Sequence, residues 1–216
     1  MKQRTLGIVQ AVLIAVLILS GAIALPILFR PFFYWHIAPL KLPETSALTI
    51  EQIKTAYNEM LDFCIGLSDR FSAGVLPYSQ SGADHFADVQ KLFVLDLWAF
   101  GLSAIVLIAL KLVFRREHIR LAGHTPGFWG AVGLSATGAA IGVLAALDFE
   151  KAFTLFHTLF FPGKDNWLFD PRTDPIITLL PGEFFRNCAI LILAGLLLSC
   201  AGLLLWDCHC RRSANK

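Results

Sequence analysis

The sequence predicts an all-α fold, an integral membrane four-helix bundle with further helical elements in its first and second outer loops. Three observations predict it. Four apolar runs are each long enough to cross a hydrocarbon core, which takes about 20 helical residues. Hydrophobic residues make up 56% of the chain and charged residues only 16%, with a mean hydropathy of +0.64, whereas a soluble domain carries roughly 25% charge. Lys and Arg gather in short segments at alternate ends of the runs. With a net charge of +2 and no Lys/Arg stripe interleaved with polar residues, nothing points to nucleic-acid binding.

The 216 residues suit one membrane domain. The first span, about 6–29, follows Met1-Lys2-Gln3-Arg4, which looks like the basic start of a signal peptide. Its apolar stretch exceeds the roughly 7–15 residues of a signal core, and no A-x-A-like site follows, so it reads as a retained span. The others are about 92–114, 128–147 and 187–206. Asp96 and Lys111 lie near the ends of the second, close enough to an interface to snorkel or face protein. Lipid offers no partner to backbone polar groups, so these runs must be helices.

Lys2 and Arg4, then Arg115, Arg116 and Arg120, then Arg211, Arg212 and Lys216 mark the short basic segments. The positive-inside rule puts these, and both termini, on the cytoplasmic side, leaving 30–91 and 148–186 as outer loops. In the first loop, Pro26, Pro31, Pro39 and Pro43 punctuate the chain. Thr49-Ile50-Glu51-Gln52 then resembles a capping box. Ile50, Ile53, Tyr57, Met60, Leu61 and Cys64 follow at helical spacing. This amphipathic helix either lies on the outer membrane surface or packs as a small cap on the span ends. Only Cys64 and Cys188 approach the oxidising face, and their spacing gives no disulfide by itself. Cys208-His209-Cys210, at the inner end of the last span, is open to palmitoylation, metal binding or neither.

The histidines carry more. His118, His124 and His209 fall on the inner side; His36, His85 and His157 fall outside. If the second helix extends outward past Leu92 it starts near Ser81, a candidate N-cap, and if the third extends past Leu147 it can run to about Phe161, where Pro162-Gly163 stops it. Measured from the turn between them, about 1.5 Å per residue lifts His85 about 48 Å and His157 about 45 Å. The two imidazoles therefore come out nearly level, just beyond the apolar core. Asp84 and Asp88 flank His85, and Thr154 precedes His157 by three; a carboxylate would orient an imidazole and raise its basicity. The plain alternative is a pair of interfacial histidines touching lipid headgroups.

Past His157 the chain reads Trp167-Leu168-Phe169-Asp170-Pro171-Arg172-Thr173-Asp174-Pro175, then Pro181-Gly182-Glu183-Phe184-Phe185. Aromatic residues favour the headgroup level. Asp170, Arg172 and Asp174 could form a charged network bracing the site, although two Asp-Pro steps also make an ordinary interfacial turn.

These segments together resemble the bacterial lipoprotein intramolecular transacylase family, four-span membrane proteins of Gram-positive bacteria. The resemblance rests on His85-Phe86-Ala87-Asp88-Val89 leading into the second span, on Phe156-His157, on Trp167-x-Phe169-Asp170-Pro171 and on Pro181-x-x-Phe184-Phe185. Span order and loop lengths agree over essentially the whole chain. Phe32 to Gly82 and Asp207 to Lys216 carry no matching motif.

The resemblance implies a transferase acting on lipoproteins. The family moves the sn-2 acyl chain of a diacylglyceryl-modified N-terminal cysteine to that cysteine's own α-amino group, leaving a lyso-form lipoprotein. It implies His85 and His157 as the essential pair, with no cofactor, no metal and no acyl-enzyme; the chain has no G-x-S-x-G elbow. His157 is expected to act as base, with His85 stabilising the oxyanion or relaying the proton, and the reverse assignment is open. Asp88, Trp167, Asp170, Arg172 and Asp174 are the expected supporting residues. The partners implied are the diacylated lipoprotein and membrane lipids. Two other readings of the same histidines are a haem- or metal-binding redox membrane protein and a non-catalytic lipid-binding subunit.

Overall fold

The computed structural model describes residues 2–117 and 119–214. Met1 and Lys216, used above in reading the basic termini, and His118 lie outside the described residues. Among the described residues, eight α-helices and one short 3-10 turn account for the regular structure and no strand occurs. Among the described residues four helices are long and apolar enough to cross a membrane: α1 (Lys2–Leu28), α5 (Gln80–Val113), α6 (Pro126–Leu147) and α8 (Gly182–Ala214). The fold is therefore the all-α membrane class expected. α5 has 34 residues, about 51 Å of helix against a hydrocarbon core of about 30 Å, so polar turns continue past its apolar run. Its first three turns hold His85 and Asp88.

Packing divides the chain into two compact units. One comprises Met1–Leu25, Asp96–Val143 and Leu191–Lys216. Its centre is small: Ala22, Ala131, Leu196 and Cys200 are buried together. Gly130 is needed there, because a Cβ would come within 2.9 Å of the Ala11 carbonyl oxygen. Small residues let membrane helices approach where no hydrophobic effect pulls them together. The start of α6 is tied to α8 by Asp207, 2% exposed, which accepts from the Thr125 backbone N–H at 2.6 Å and from His124 Nδ1 at 2.8 Å. Leu102, Ile105, Ile108, Leu112, Ile141 and Leu198 stay exposed, as side chains facing hydrocarbon should.

The second unit comprises Pro26–Leu95 and Leu144–Ile190. Pro26 sits in the last turn of α1, and Pro31 opens α2 (Pro31–His36) at a position where its missing N–H is harmless. α3 (Leu42–Ser46) leads to α4 (Ile50–Cys64), whose capping box is complete. The Thr49 N–H donates to Gln52 Oε1 at 2.9 Å, and the Gln52 N–H donates to Thr49 Oγ1 at 3.3 Å. The apolar face of α4 is not left for lipid. Ile53, Ala56, Tyr57, Met60, Leu61, Phe63 and Cys64 are buried within the unit, where α4 packs on α3 and on the 3-10 turn Pro175–Leu179. The cap arrangement is thus the one adopted. Tyr57 stacks on Phe33 at 3.7 Å, with Phe184 edge-on to both. An Arg30–Asp62 ion pair fastens the end of the first span to α4.

One expected element is different. The third span ends at Leu147, as its apolar run does, but its helix does not continue to Phe161. α6 stops at Leu147, Asp148 turns to extended backbone, and a separate helix, α7 (Phe149–Phe160), begins. Asp148 is the N-cap, accepting from the Lys151 N–H at 3.0 Å, with Glu150 in the first turn. A carboxylate there meets the free N–H groups and the positive end of the helix dipole, which favours starting a new helix.

Candidate active site

α5 delivers the first histidine. Its N-cap is Ser79 rather than Ser81: Ser79 Oγ accepts from the Gly82 N–H at 3.0 Å. One turn further on, His85 is buried at 5% exposure, and its Nδ1 has no hydrogen-bond partner. α7 delivers the second, and His157 is the one residue that helix buries. The two rings lie with centroids 5.9 Å apart and planes 29° apart. The straight-helix height estimate does not explain this meeting, because the chain breaks at Asp148; the cap there re-aims α7 within the second unit.

Aromatic rings wall the pair. Phe161 stands edge-on to His85 at 5.0 Å, and Phe169 does so at 5.4 Å. Trp167 lies 4.7 Å from His157 and Phe153 lies 4.2 Å from it. Trp167 Nε1 is occupied by the Lys164 carbonyl at 3.1 Å, so the indole offers a ring face rather than a donor.

Hydrogen bonding sorts the histidines. His157 Nδ1 is 2.8 Å from the Phe153 carbonyl oxygen. A carbonyl only accepts, so Nδ1 carries the hydrogen and, in the neutral ring, Nε2 carries the lone pair. Burial holds the pKa of His157 below the ordinary imidazole value, partly opposed by that bond to Phe153. Thr154 is not the partner expected from its spacing. Nor do the flanking acids orient His85. Asp84 is exposed and takes Gln80 Nε2 at 2.8 Å. Asp88 is buried and accepts from Lys91 at 3.0 Å, from Asn166 at 3.4 Å and from Lys164.

The expected Asp170–Arg172–Asp174 network divides in two. Arg172 forks onto Asp170 with bonds of 2.7–3.1 Å, and its guanidinium holds that carboxyl down to about 2. This pair is solvent-facing, with the Arg172 side chain 88% exposed. Asp174 joins neither. It is 4% exposed and accepts from the Ser79 N–H at 2.8 Å and from Thr173 Oγ1 at 2.7 Å. It thus anchors the loop to the N-terminus of the His85 helix.

Sequence reasoning missed Lys164, Asn166, Phe153 and Phe161. In the sequence Pro162-Gly163 signals only a helix stop, although Lys164 and Asn166 follow close behind it. Burial pushes the Cys64 thiol up to about 12, which removes it as a nucleophile, and the cysteines are free rather than paired. Among the described residues no three His, Cys, Asp or Glu side chains group as metal ligands. The arrangement offers one imidazole lone pair with a fixed tautomer and a second imidazole beside it, in a mostly apolar, ring-lined setting suited to moving a proton.

The family model described as lipoprotein intramolecular transacylase Lit matches residues 8–185. The solved structure of the membrane integral lipoprotein intramolecular transacylase Lit from Bacillus cereus is similar at a TM-score of 0.87, with 26% identity over 98% of each chain. The same protein carrying the H85R mutation is similar at 0.79, with 25% identity over 99% of this chain and 95% of that one. The form with the H85A mutation is also similar at 0.79, with 25% identity over 98% and 96%. No curated protein matches by sequence.

Proposed function

The chain belongs to the lipoprotein intramolecular transacylase family of membrane-integral acyltransferases, and we propose that it converts diacylglyceryl lipoproteins to the lyso form by histidine acid–base catalysis. The observation that carries this reading is the buried pairing of His85 and His157, rings 5.9 Å apart, with only the His157 Nδ1 hydrogen committed to backbone. The substrate is a lipoprotein whose N-terminal cysteine bears a diacylglyceryl thioether. The loops 30–91 and 148–186 face outward from a bacterial cell membrane, with both termini in the cytoplasm.

The chemistry balances within one substrate. The α-amine nitrogen attacks the sn-2 ester carbonyl carbon; a C–N bond forms and the C–O bond to glycerol breaks. His157 Nε2 takes a proton from the amine and returns it to the departing sn-2 oxygen. An amine that arrives as ammonium releases one further proton to water. The α-amine titrates near 7.7–8.0, so a share of it is neutral near pH 7, and His157, its pKa held below about 6.5, is neutral there and free to take the proton that the nitrogen sheds as it attacks. His85 donates to the oxyanion of the tetrahedral intermediate. Amide is more stable than ester, so the reaction runs downhill, and holding amine and ester together supplies roughly 7–11 kcal/mol. No acyl-enzyme intervenes.

The test is mass spectrometry of lipoprotein N-termini in cells expressing the chain. Wild type should yield the N-acyl, monoacylglyceryl form, whereas His157→Ala and His85→Ala should leave the diacyl form. Lyso-form product at the wild-type level in either variant refutes the assignment.

A further inference from the structure

His85 lies on α5 between two points of attachment on one face. Gly82 precedes it by three residues and Asp88 follows it by three. Steps of three keep residues on neighbouring ridges of a helix, and the three positions span about 9 Å. Segment 161–174 is fastened at both ends of that interval. At one end, Asp174 accepts from the Ser79 N–H, and a Cβ on Gly82 would overlap the Asp174 carboxylate. At the other, Lys164 Nζ and Asn166 Nδ2 both reach Asp88 Oδ2. Near and between these fastenings the segment presents Phe161 and Phe169 to His85 and Trp167 to His157.

We propose that Lys164 is a positioning residue for acyl transfer, its bridge to Asp88 setting the 161–174 strap so that Trp167 and Phe169 hold the two imidazoles in register. The proposal rests on the His85–His157 reading above. It separates from ordinary ion-pair stabilisation by a count of partners. Asp88 Oδ1 is held by Lys91, so loss of Lys164 leaves the buried carboxylate still paired with one cation. Its removal loosens the Asp88 end of the strap, leaving there only the longer Asn166 bond of 3.4 Å, without stranding a buried charge, and the Lys164 side chain, 46% exposed, adds little burial energy. Activity should fall while the fold survives.

The experiment uses purified full-length protein and a synthetic diacylglyceryl-cysteinyl lipopeptide, with the lyso product followed by mass spectrometry. Lys164→Met should lower kcat about tenfold or more with KM changed less than about threefold, the split expected when positioning rather than binding is lost. Lys164→Arg should restore most of kcat. Combining Lys164→Met with Asp88→Asn should be no slower than Asp88→Asn alone, since both break one bridge. Hydrogen exchange at amides 161–174 should rise in Lys164→Met with the thermal midpoint near wild type. Wild-type kcat in Lys164→Met, an Arg variant no better than Met, or additive losses in the double variant would each overturn the proposal. If wild type converts the lipopeptide and His157→Ala does not, those results count against the strap alone. If wild type itself converts nothing, the function reading and this proposal fall together.

Discussion

His157 donates its Nδ1 hydrogen to the Phe153 carbonyl oxygen, 2.8 Å away and one helical turn back. The bond is internal to α7, so the helix that carries the base also fixes its tautomer. In many sites a carboxylate orients the base and raises its basicity. Here a neutral carbonyl does the orienting, and burial of the ring lowers its pKa.

That sets the pH dependence. A lowered pKa keeps His157 neutral to more acid conditions than a free imidazole at about 6.5. The base form is present above the lowered value and is lost as pH falls through it. The acid limb of kcat should therefore have its midpoint below about 6.5. Stability has the same sign: the unfolded chain takes up the proton first, so acid weakens the fold as pH falls from about 6.5 through the folded value. A kcat profile on the lipopeptide checks the first point, and a midpoint at or above 6.5 contradicts it.

Trp167 lies on His157 with its N–H already used, so what it supplies is a flat apolar face. Trp167→Phe should keep the reaction within a fewfold of wild type. Trp167→Ala leaves one side of the imidazole unsupported and should cost on the order of tenfold to a hundredfold in kcat, the scale of a small misplacement. Equal rates in the Ala and Phe variants would show that the ring face is idle.

Much of this was legible in the sequence because membrane helices announce themselves. Four long apolar runs, charged only at Asp96 and Lys111, read as spans, and the Thr49–Gln52 box is a local signal that was met in full. Helical rise alone sets His85 and His157 level only along one straight third helix, which Asp148 breaks, and nothing in the spacing makes the two rings face each other. The apolar run does end at Leu147, where α6 stops, but hydropathy does not say whether the chain beyond continues that helix or, as Asp148 makes it, starts another. The partners of the charged residues were the least readable. Asp88 bonds Lys164 across 76 positions and Asp174 bonds Ser79 across 95. No local spacing encodes such contacts, whereas neighbours such as Asp84 beside His85 suggest contacts the helix does not make.

Asp174 and Arg172, two residues apart, should therefore behave very differently. Asp174→Ala strips the buried acceptor from the Ser79 N–H at the start of α5 and should cost about 1–3 kcal/mol, with a clear fall in the unfolding midpoint in detergent. Arg172→Ala breaks only a solvent-facing pair with Asp170 and should change stability by less than about 0.5 kcal/mol. Thermal unfolding of the two variants side by side decides it, and a similar loss in both would mean that the exposed pair matters to the fold.

Two glycines of α5 allow a controlled test of the strap's close approach. A Cβ on Gly101 meets nothing within 4 Å, whereas one on Gly82 would strike the Asp174 carboxylate and come within 3.2 Å of Phe169. Helix propensity alone favours alanine at either position by up to about 1 kcal/mol. Gly101→Ala should thus be neutral or stabilising and leave turnover unchanged. Gly82→Ala should lose that gain to the clash, push Asp174 and Phe169 off α5, and slow the reaction by disturbing the ring that stands edge-on to His85. The comparison needs only unfolding midpoints and lipopeptide conversion rates. Wild-type turnover in Gly82→Ala would mean that the strap can shift without moving His85, and the tight packing at Gly82 would then serve the fold but not the chemistry.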